Sequence, residues 1–407
     1  MKTRNFLMNM AGTLMLAGAM LTACTEGDGE ADDSYIPGEK ALSADVAEGG
    51  PGTSGTGSDG NTLAGIVTAG EWCDLQHWPF WSRLMLDDQF SDKSDYWLMY
   101  TNNRVAVSVT NEGGQPVAGV SVKLQRSGST VWETVTDNHG LANCWPGFCQ
   151  KEEVSSESLS LIVDGQPMAG HPVLCPWDSL AQQPATNHYV VSPSKAVSQR
   201  ADIAFVVDAT GSMGDEINFL KSDLADIIVR ASQAAPGQTL RTAALFYRDE
   251  GDEYVTRHSD FTEDLDQTAS FVNEQNANGG GDYPEAVHTA LENTLQNLSW
   301  DAQARTRLAF LILDAPAHHA SSVIQSLQQS VTTFARLGIR LVPVAASGVD
   351  KNTEFMCRFF AIATGGTYVF LTNDSGVGNH HIQATVGDYE VEQLNDLLIR
   401  LIGYYTE

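Results

Sequence analysis

One short stretch of the sequence, ADIAFVVDATGSMGDE at residues 201–216, constrains the fold most. Its apolar run from Ile203 to Val207 ends in Asp208 and passes into a loop with two hydroxyls and two glycines. Apolar residues then recur at spacings of three and four, which predicts an amphipathic helix packed on a sheet. They are Ile217, Leu220, Leu224, Ile227 and Ala231. The loop should therefore lie at the carboxyl end of a buried parallel strand, where open α/β sheets bind ligands.

The side chains of this loop offer only oxygen ligands. Asp208, Thr210 and Ser212 are two residues apart, on a turn whose glycines permit their side chains to converge. Hard divalent cations such as Mg²⁺ prefer oxygen ligands of this kind. A plainer interpretation is that Asp208 and Thr210 cap the helix that follows.

Two later segments are predicted to end at the same edge of the sheet. The continuous apolar run at residues 308–313 is typical of a central parallel strand buried on both faces, and it ends in Asp314. Between the two strands, the sequence GGGDYPE at residues 279–285 precedes another amphipathic helix. Asp282 and Glu285 also fit a capping box at the start of that helix, so Asp282 is a metal ligand, a helix cap or both.

The pattern Asp-x-Thr-x-Ser resembles the metal-ion-dependent adhesion site of von Willebrand factor A domains, and the later segments resemble its second and third motifs. The resemblance covers about residues 202–404. It implies a doubly wound, Rossmann-like α/β fold around a mostly parallel sheet, and a site for one divalent ion, Mg²⁺ or else Ca²⁺ or Mn²⁺. The implied ligands are Asp208, Thr210, Ser212, Asp282 and Asp314.

The same resemblance implies that the ion keeps a coordination position open for a Glu or Asp carboxylate of a partner protein. Binding of a protein partner, or adhesion, is therefore the expected function. Two carboxylates neutralise a dication, whereas a third one at Asp282 would make the site net negative and weaken the capture of an acidic ligand.

The first 23 residues have the features of an export signal. Lys2 and Arg4 precede an apolar stretch, Phe6 to Leu21, that is short for a membrane span of about 20 residues. Leu-Thr-Ala-Cys at residues 21–24 resembles the lipobox of bacterial lipoproteins, which implies a lipid anchor on Cys24. Acidic residues follow, as in Bacteroidota-type lipoproteins that reach the cell surface. We expect an outer-membrane lipoprotein, either displayed on the surface or facing the periplasm; an ordinary signal peptide is the alternative.

The rest of the chain divides into a tether and two predicted domains. Residues 24–65 are acidic and then rich in Gly, Ser, Thr and Pro, which is typical of a flexible tether. Residues 66–192 contain short alternating runs separated by turn residues, which favours a small β-sandwich. Phrases such as GQPVAGVSVKL resemble carboxypeptidase-regulatory-like and immunoglobulin-like modules. After a linker at residues 193–200, strands and helices alternate through residues 201–407, with an edge strand at residues 367–371.

Charge and cysteine content limit the partners and the covalent structure. The chain has 51 acidic and 23 basic residues, a formal charge of −28, so it would repel the phosphates of nucleic acids. Of the six cysteines, Cys24 is assigned to the lipid. Cys357 lies in an apolar run and is predicted to be a buried thiol. Four cysteines remain in the first folded segment, which predicts two disulfides in one of three connectivities. They are Cys73, Cys144, Cys149 and Cys175.

Two other functions compete with metal-dependent binding. A strand that ends in Asp208 also resembles haloacid-dehalogenase-type phosphatases, but those have a second acid where this chain has Thr210. They also need a lysine to offset phosphate charge, and no lysine lies between Lys221 and Lys351. The protein is therefore predicted not to be an enzyme. The other alternative is a structural envelope component whose A-type fold packs without an ion.

Overall fold

An eight-stranded sheet forms the centre of the computed structural model. The described residues are 66–175, 185–192, 197–234, 237–281, 283–375 and 381–407. The predicted signal peptide, the tether, the lipidation site at Cys24 and the candidate ligand Asp282 lie outside these residues.

The strands and helices are numbered in chain order. The strands are β1 (Thr68–Trp72), β2 (Val105–Thr110), β3 (Ser121–Arg126), β4 (Ser129–Val135), β5 (Leu141–Cys144), β6 (Leu159–Val163), β7 (Gln166–Pro167), β8 (Thr186–Val190), β9 (Ser198–Asp208), β10 (Thr239–Tyr247), β11 (Thr256–Thr262), β12 (Ala304–Leu313), β13 (Arg340–Ala345), β14 (Tyr368–Leu371) and β15 (Glu392–Gln393). The helices are α1 (Trp78–Leu84), α2 (Asp92–Trp97), α3 (Ile217–Ala234), α4 (Leu265–Glu274), α5 (Val287–Gln296), α6 (Ser321–Leu337), α7 (Lys351–Thr364) and α8 (Leu394–Thr406).

The large sheet has the strand order β11-β10-β9-β12-β13-β14-β1-β15. The five central strands are parallel to one another, in the order β10-β9-β12-β13-β14. The antiparallel strand β11 pairs with β10 at one side, and β1 pairs antiparallel with β14 and β15 at the other. The chain leaves β9 towards β10 on one side and later returns to β12 on the other. The carboxyl end of β9 is therefore a topological switch point, the place where sheets of this kind bind ligands.

Helices cover both faces of this sheet, and the strand residues alternate between two hydrophobic cores. Phe310 of β12 packs in one core with apolar residues of α3, α4 and α8. Its neighbour Leu311 packs in the other core with residues of α5, α6 and α7. A strand buried on both faces needs a continuous apolar run, which is what β12 has. The predicted doubly wound α/β fold is confirmed.

The margin of the sheet differs from the sequence prediction. Residues 367–371 were expected to form an edge strand, but β14 pairs with β13 on one side and with β1 on the other. β1 comes from the predicted first folded segment and pairs through four residues, from Ala69 to Trp72. Its five residues carry too little pattern to predict this pairing, because its partner lies about 300 positions along the chain.

Between β1 and β9, the described residues form two small sheets and two short α-helices. One sheet has the order β5-β2-β8 and the other the order β4-β3-β6-β7. All described residues belong to one compact unit. The boundary at residue 192 and the immunoglobulin-like assignment stay predictions. Within the described ranges, no helix has the length and apolarity that crossing a bilayer requires.

The two predicted disulfides are absent, because the structure shows all five described cysteines as free thiols. Two of the thiols contact backbone carbonyls instead: Cys73 Sγ lies 4.0 Å from Gly366 O, and Cys175 Sγ lies 2.9 Å from Ala185 O. Spacing along the sequence carries no information on whether two cysteines meet in space. Cys357 is fully buried, as predicted.

These thiols lead to a direct prediction for the full chain with Cys24→Ser. After unfolding in guanidinium without reductant, a thiol reagent should titrate five groups, whereas two disulfides would leave one. In the native protein most of the reaction should be slow. Burial raises the pKa of Cys73 to about 11, and only the thiolate reacts. A count of one in guanidinium would contradict the structure.

Candidate metal centre

Three loops meet at the carboxyl ends of β9 and β12. The first follows β9, the second precedes α5 and the third follows β12. Backbone hydrogen bonds join the first two loops: the Asn278 amide donates to Ala209 O at 3.0 Å, and the Gly211 amide donates to Gly279 O at 2.9 Å. The loops therefore hold their side chains in a fixed arrangement.

A glycine is required where these two loops touch. Gly280 has φ +71°, and a Cβ at this position would lie 3.0 Å from Glu285 Oε1 and 3.1 Å from Thr210 Cβ. Both the left-handed backbone and the narrow space exclude larger residues. The glycine run therefore brings Glu285 close to the first loop.

The first loop presents the side chains that the sequence predicts there. Asp208 is completely buried, and its Oδ1 accepts hydrogen bonds from the Thr210 amide at 2.9 Å and the Thr210 hydroxyl at 2.7 Å. Thr210 Oγ1 lies 3.1 Å from Ser212 Oγ. The three side chains form one hydrogen-bonded row that continues β9.

The third loop adds a second carboxylate to this row. Asp314 follows β12 and is 6% exposed. Burial, the largest effect, raises the pKa of Asp314 to about 6. A hydrogen bond from the Ser212 hydroxyl to the Asp314 carboxylate opposes this rise. The structure thus brings Asp208, Thr210, Ser212 and Asp314 together, as predicted. Their role as metal ligands stays a prediction.

Glu285 is the residue that the sequence interpretation missed. It was expected to take part in a capping box, but α5 begins only at Val287 and its N-cap, Ala286, makes no side-chain cap. The Glu285 amide instead donates to Pro316 O at 2.9 Å, which ties the residue to the third loop and leaves its side chain 2% exposed. The apolar Ala286 and Val287 directly after it were the signal that Glu285 belongs to the buried side.

Buried acidic groups that each have an oxygen without a partner accumulate at this site. Asp208 Oδ2, Glu285 Oε2 and Asp314 Oδ1 are all buried without a hydrogen-bond partner. Among the residues described, no Lys, Arg or His forms an ion pair with any of the three carboxylates. Burial, and after it the charge of Asp314, raises the pKa of Asp208 to about 7. Burial, and after it the charge of Asp208, raises the pKa of Glu285 to about 9.

Three orphaned carboxylate oxygens beside two hydroxyls fit a hard divalent cation, which would satisfy the oxygens and offset their charge. The described part of the chain has no group of three or more His, Cys, Asp or Glu placed to hold an ion alone. A cation here would therefore also need the hydroxyl oxygens of Thr210 and Ser212. Asp282 lies outside the described residues, so its role stays a prediction.

The site opens into a hollow of about 320 Å³ between the first and second loops. Ser212, Tyr283, Glu285 and the glycines at 279–281 contribute to its walls. Tyr283 is 44% exposed, and its hydroxyl accepts a hydrogen bond from the Asp350 amide at 3.0 Å. This bond fixes an exposed aromatic ring beside the candidate metal centre.

Comparison with known proteins agrees with the fold described above. Residues 202–338 match the family model described as von Willebrand factor A domain. The chain is 35% identical over 202 residues to von Willebrand factor A domain-containing protein 7 of Rattus norvegicus, covering 47% of this chain and 21% of that protein. It is 33% identical over 133 residues to a putative ariadne-like RING finger protein of Acanthamoeba polyphaga mimivirus, covering 33% of this chain and 13% of that protein.

A crystal structure of the conserved hypothetical protein BatB from Bacteroides thetaiotaomicron aligns with 50% of this chain and 98% of that chain, at 11% identity and a TM-score of 0.35. The chain spans about a fifth or less of the two curated relatives, so the likeness concerns a domain and not whole proteins. Domains of the matched family generally act in protein interaction or adhesion. The family match, the parallel sheet and the loop after β9 together show that residues 202–338 are similar to a von Willebrand factor A domain.

Proposed function

We propose that this protein binds a protein partner through a divalent-cation site at the carboxyl end of its large sheet. The observation that carries the proposal is the set of three buried carboxylate oxygens without partners, on Asp208, Glu285 and Asp314. Unpaired buried acids are costly, and they persist where an ion or a ligand compensates them. When bound, the cation, Mg²⁺ or a similar ion, would supply a Lewis-acidic centre.

Each residue of the site has a definite task in this proposal. Asp208 and Asp314 hold the charge of the ion, and the hydroxyls of Thr210 and Ser212 complete the oxygen set. The hydrogen bonds from Thr210 to Asp208 fix the carboxylate before any ion arrives. Such fixation lowers the ordering cost of binding.

The charge of the site also limits what the partner can offer. Asp208 and Asp314 already neutralise a dication, and Glu285 adds a third acidic group where Asp282 alone was considered from sequence. We therefore expect weak capture of a partner's Glu or Asp carboxylate. The exposed ring of Tyr283 provides an aromatic contact beside the ion, of the kind that is enriched in interfaces.

The anchor is part of the same proposal. Lipidation of Cys24, followed by the acidic tether, would place the A domain outside the outer membrane, where it meets partners on other molecules. Facing the periplasm is the alternative orientation. Capture experiments from envelope fractions, with Mg²⁺ and then with chelator, would identify partners whose binding needs the ion.

A thermal melt of the full chain tests the ion directly. Mg²⁺ or Ca²⁺ at about 100 times its Kd should add about 2.7 kcal/mol to the free energy of unfolding, because only the native state binds it. EDTA should reverse the shift. Ser212→Ala should reduce it, and Asp266→Asn, an exposed acid at the start of α4, should leave it unchanged. Equal melting temperatures in Mg²⁺, Ca²⁺ and EDTA would instead favour an A-type fold that packs without an ion.

A further inference from the structure

A second cavity, of about 310 Å³, lies at the opposite end of the large sheet from the candidate metal centre. Its walls come from the start of β13, the end of α7, the end of α8 and strands β2 and β5 of the small sheet. We call it the arginine cavity, because Arg104 and Arg340 both line it. Its volume is at the lower end of the range of small-molecule sites, about 300–1,000 Å³.

Arg104 is buried without a counter-charge. It is 5% exposed, donates from Nε to Asn143 Oδ1 at 2.8 Å and from Nη1 to Leu75 O at 3.1 Å, and stacks on Trp78. All these partners are neutral. Burial lowers the pKa of Arg104 to about 10, because no carboxylate compensates the lost hydration.

Arg340 is also buried without a counter-charge. It is 7% exposed and donates from Nη1 to Gly338 O at 2.7 Å and from Nη2 to Val135 O at 3.2 Å. Its Nε is buried and has no hydrogen-bond partner. A Cβ on Gly365, another residue of the cavity wall, would lie 3.9 Å from this Nε.

Another buried arginine is paired and a further one is not. Arg358 bonds to Asp74 at 2.6 Å, whereas Arg307, 6% exposed, donates from Nη1 to the backbone carbonyls of Asp301 and Ala304, both at 2.9 Å. Among the described residues, no acid lies within ion-pair distance of Arg104 or Arg340. Arg104 and Arg340 differ from Arg307 because both line the same cavity, in a chain with a formal charge of −28.

One carboxylate, that of Asp137, lines the arginine cavity, but it bonds to backbone amides of its own turn and to neither arginine. Asp137 Oδ1 accepts hydrogen bonds from the backbone amides of His139 at 2.9 Å and Leu141 at 2.8 Å. The Asp137 side chain therefore stabilises the turn at residues 137–141. Part of the remaining wall is apolar and includes Ala106, Val107, Ala142 and Ala363.

We propose that the arginine cavity binds a small organic anion, with Arg104 and Arg340 supplying the positive charge and the apolar wall contacting a hydrocarbon body. Guanidinium groups suit carboxylate and phosphate because their planar donors match both. The apolar wall favours a carboxylate with a hydrocarbon body over inorganic phosphate. The inference is independent of the ion at the other end of the sheet.

The test compares three probes on the full chain in EDTA. Benzoate carries a carboxylate on an apolar ring, benzamide has the same shape without the charge, and inorganic phosphate has charge without an apolar body. Benzoate should raise the melting temperature by at least about 2 °C at high occupancy, benzamide should not, and phosphate should have a smaller effect. A shift from benzamide equal to that from benzoate would overturn the proposal.

Arginine variants show whether the benzoate shift arises in the arginine cavity. Arg104→Met and Arg340→Met should each abolish the benzoate shift, while Arg336→Met, an exposed arginine on α6 one turn before β13, should keep it. Replacing an uncompensated buried charge by an apolar side chain of similar length is tolerated in other proteins, so the variants should fold. A benzoate shift that survives both cavity variants would place the anion elsewhere and overturn the proposal.

A measurement on the unmodified chain does not depend on those variants. Cys73 also lines the arginine cavity, so an occupant should shield its thiol. At ten times its Kd, benzoate should slow the labelling of Cys73 about tenfold, read by peptide mass spectrometry. The exposed thiol of Cys149 serves as the internal control. Equal labelling of Cys73 with and without benzoate would contradict the inference.

Discussion

Replacing Asp208 by Asn should stabilise the metal-free protein and at the same time abolish its response to Mg²⁺. The substitution removes one of three buried acidic groups that have an oxygen without a partner, yet its amide oxygen can still accept the two hydrogen bonds from Thr210. Relief of a buried unpaired acid is worth about 1–3 kcal/mol. The free energy of unfolding in EDTA should rise by that amount, measured with urea at neutral pH.

This opposite movement of stability and ion response distinguishes a binding site from a structural one. If Asp208 merely capped the following loop, Asp208→Asn would not raise the free energy of unfolding, because Asn caps about as well as Asp. Asp208→Ala is the matched comparison, since it also removes the charge but leaves the Thr210 amide without its acceptor. It should be as insensitive to Mg²⁺ as Asp208→Asn, and less stable. A loss of stability in Asp208→Asn in EDTA would contradict the proposed site.

Arg358→Met should lower the free energy of unfolding by about 3–5 kcal/mol, the typical cost of leaving a buried ion unpaired. Arg358 is fully buried in α7 and binds Asp74 through Nε at 2.9 Å and through Nη2 at 2.6 Å. Its Nη1 donates to Thr385 O at 2.7 Å. Without the guanidinium, Asp74 would stay buried with only the Trp72 indole as a donor, at 3.0 Å.

Two controls make this result specific. Asp74→Asn combined with Arg358→Met should recover part of the loss, because no unpaired charge remains on the Asp74 side. Arg230→Met removes surface ion pairs with Asp226 and Asp396 and should cost less than about 1 kcal/mol. A loss below about 1 kcal/mol for Arg358→Met in guanidinium unfolding would show that the buried pair contributes nothing net.

Local sequence patterns were sufficient to predict the centre of the fold. The run that forms β12 and the amphipathic spacing of α3 each encode an element by themselves, because burial on one or two faces fixes the apolar period. The order of the strand-end motifs then placed Asp208 and Asp314 at one edge. These predictions needed no knowledge of contacts between distant residues.

Features that depend on distant contacts were missed or wrong. β1 is short, and only its pairing with β14 makes it a strand of the large sheet. The edge strand β11 is largely exposed, so its pattern gave no apolar alternation. Glu285 also fitted a helix cap, and the bond of its amide to Pro316 O, which joins two distant loops, places it on the buried side. The disulfides failed for the same reason, since cysteine count does not determine distance.

Helix α7 has further consequences for how the domain can respond to a ligand. Its residues from Thr353 to Thr364 are all buried, packed between the sheet and the segment that carries Asp74. A helix enclosed on every side cannot slide like a piston without breaking many contacts at once. We therefore expect a conformational change that starts in the loops of the candidate metal centre to stay in those loops, while the sheet and α7 keep their positions.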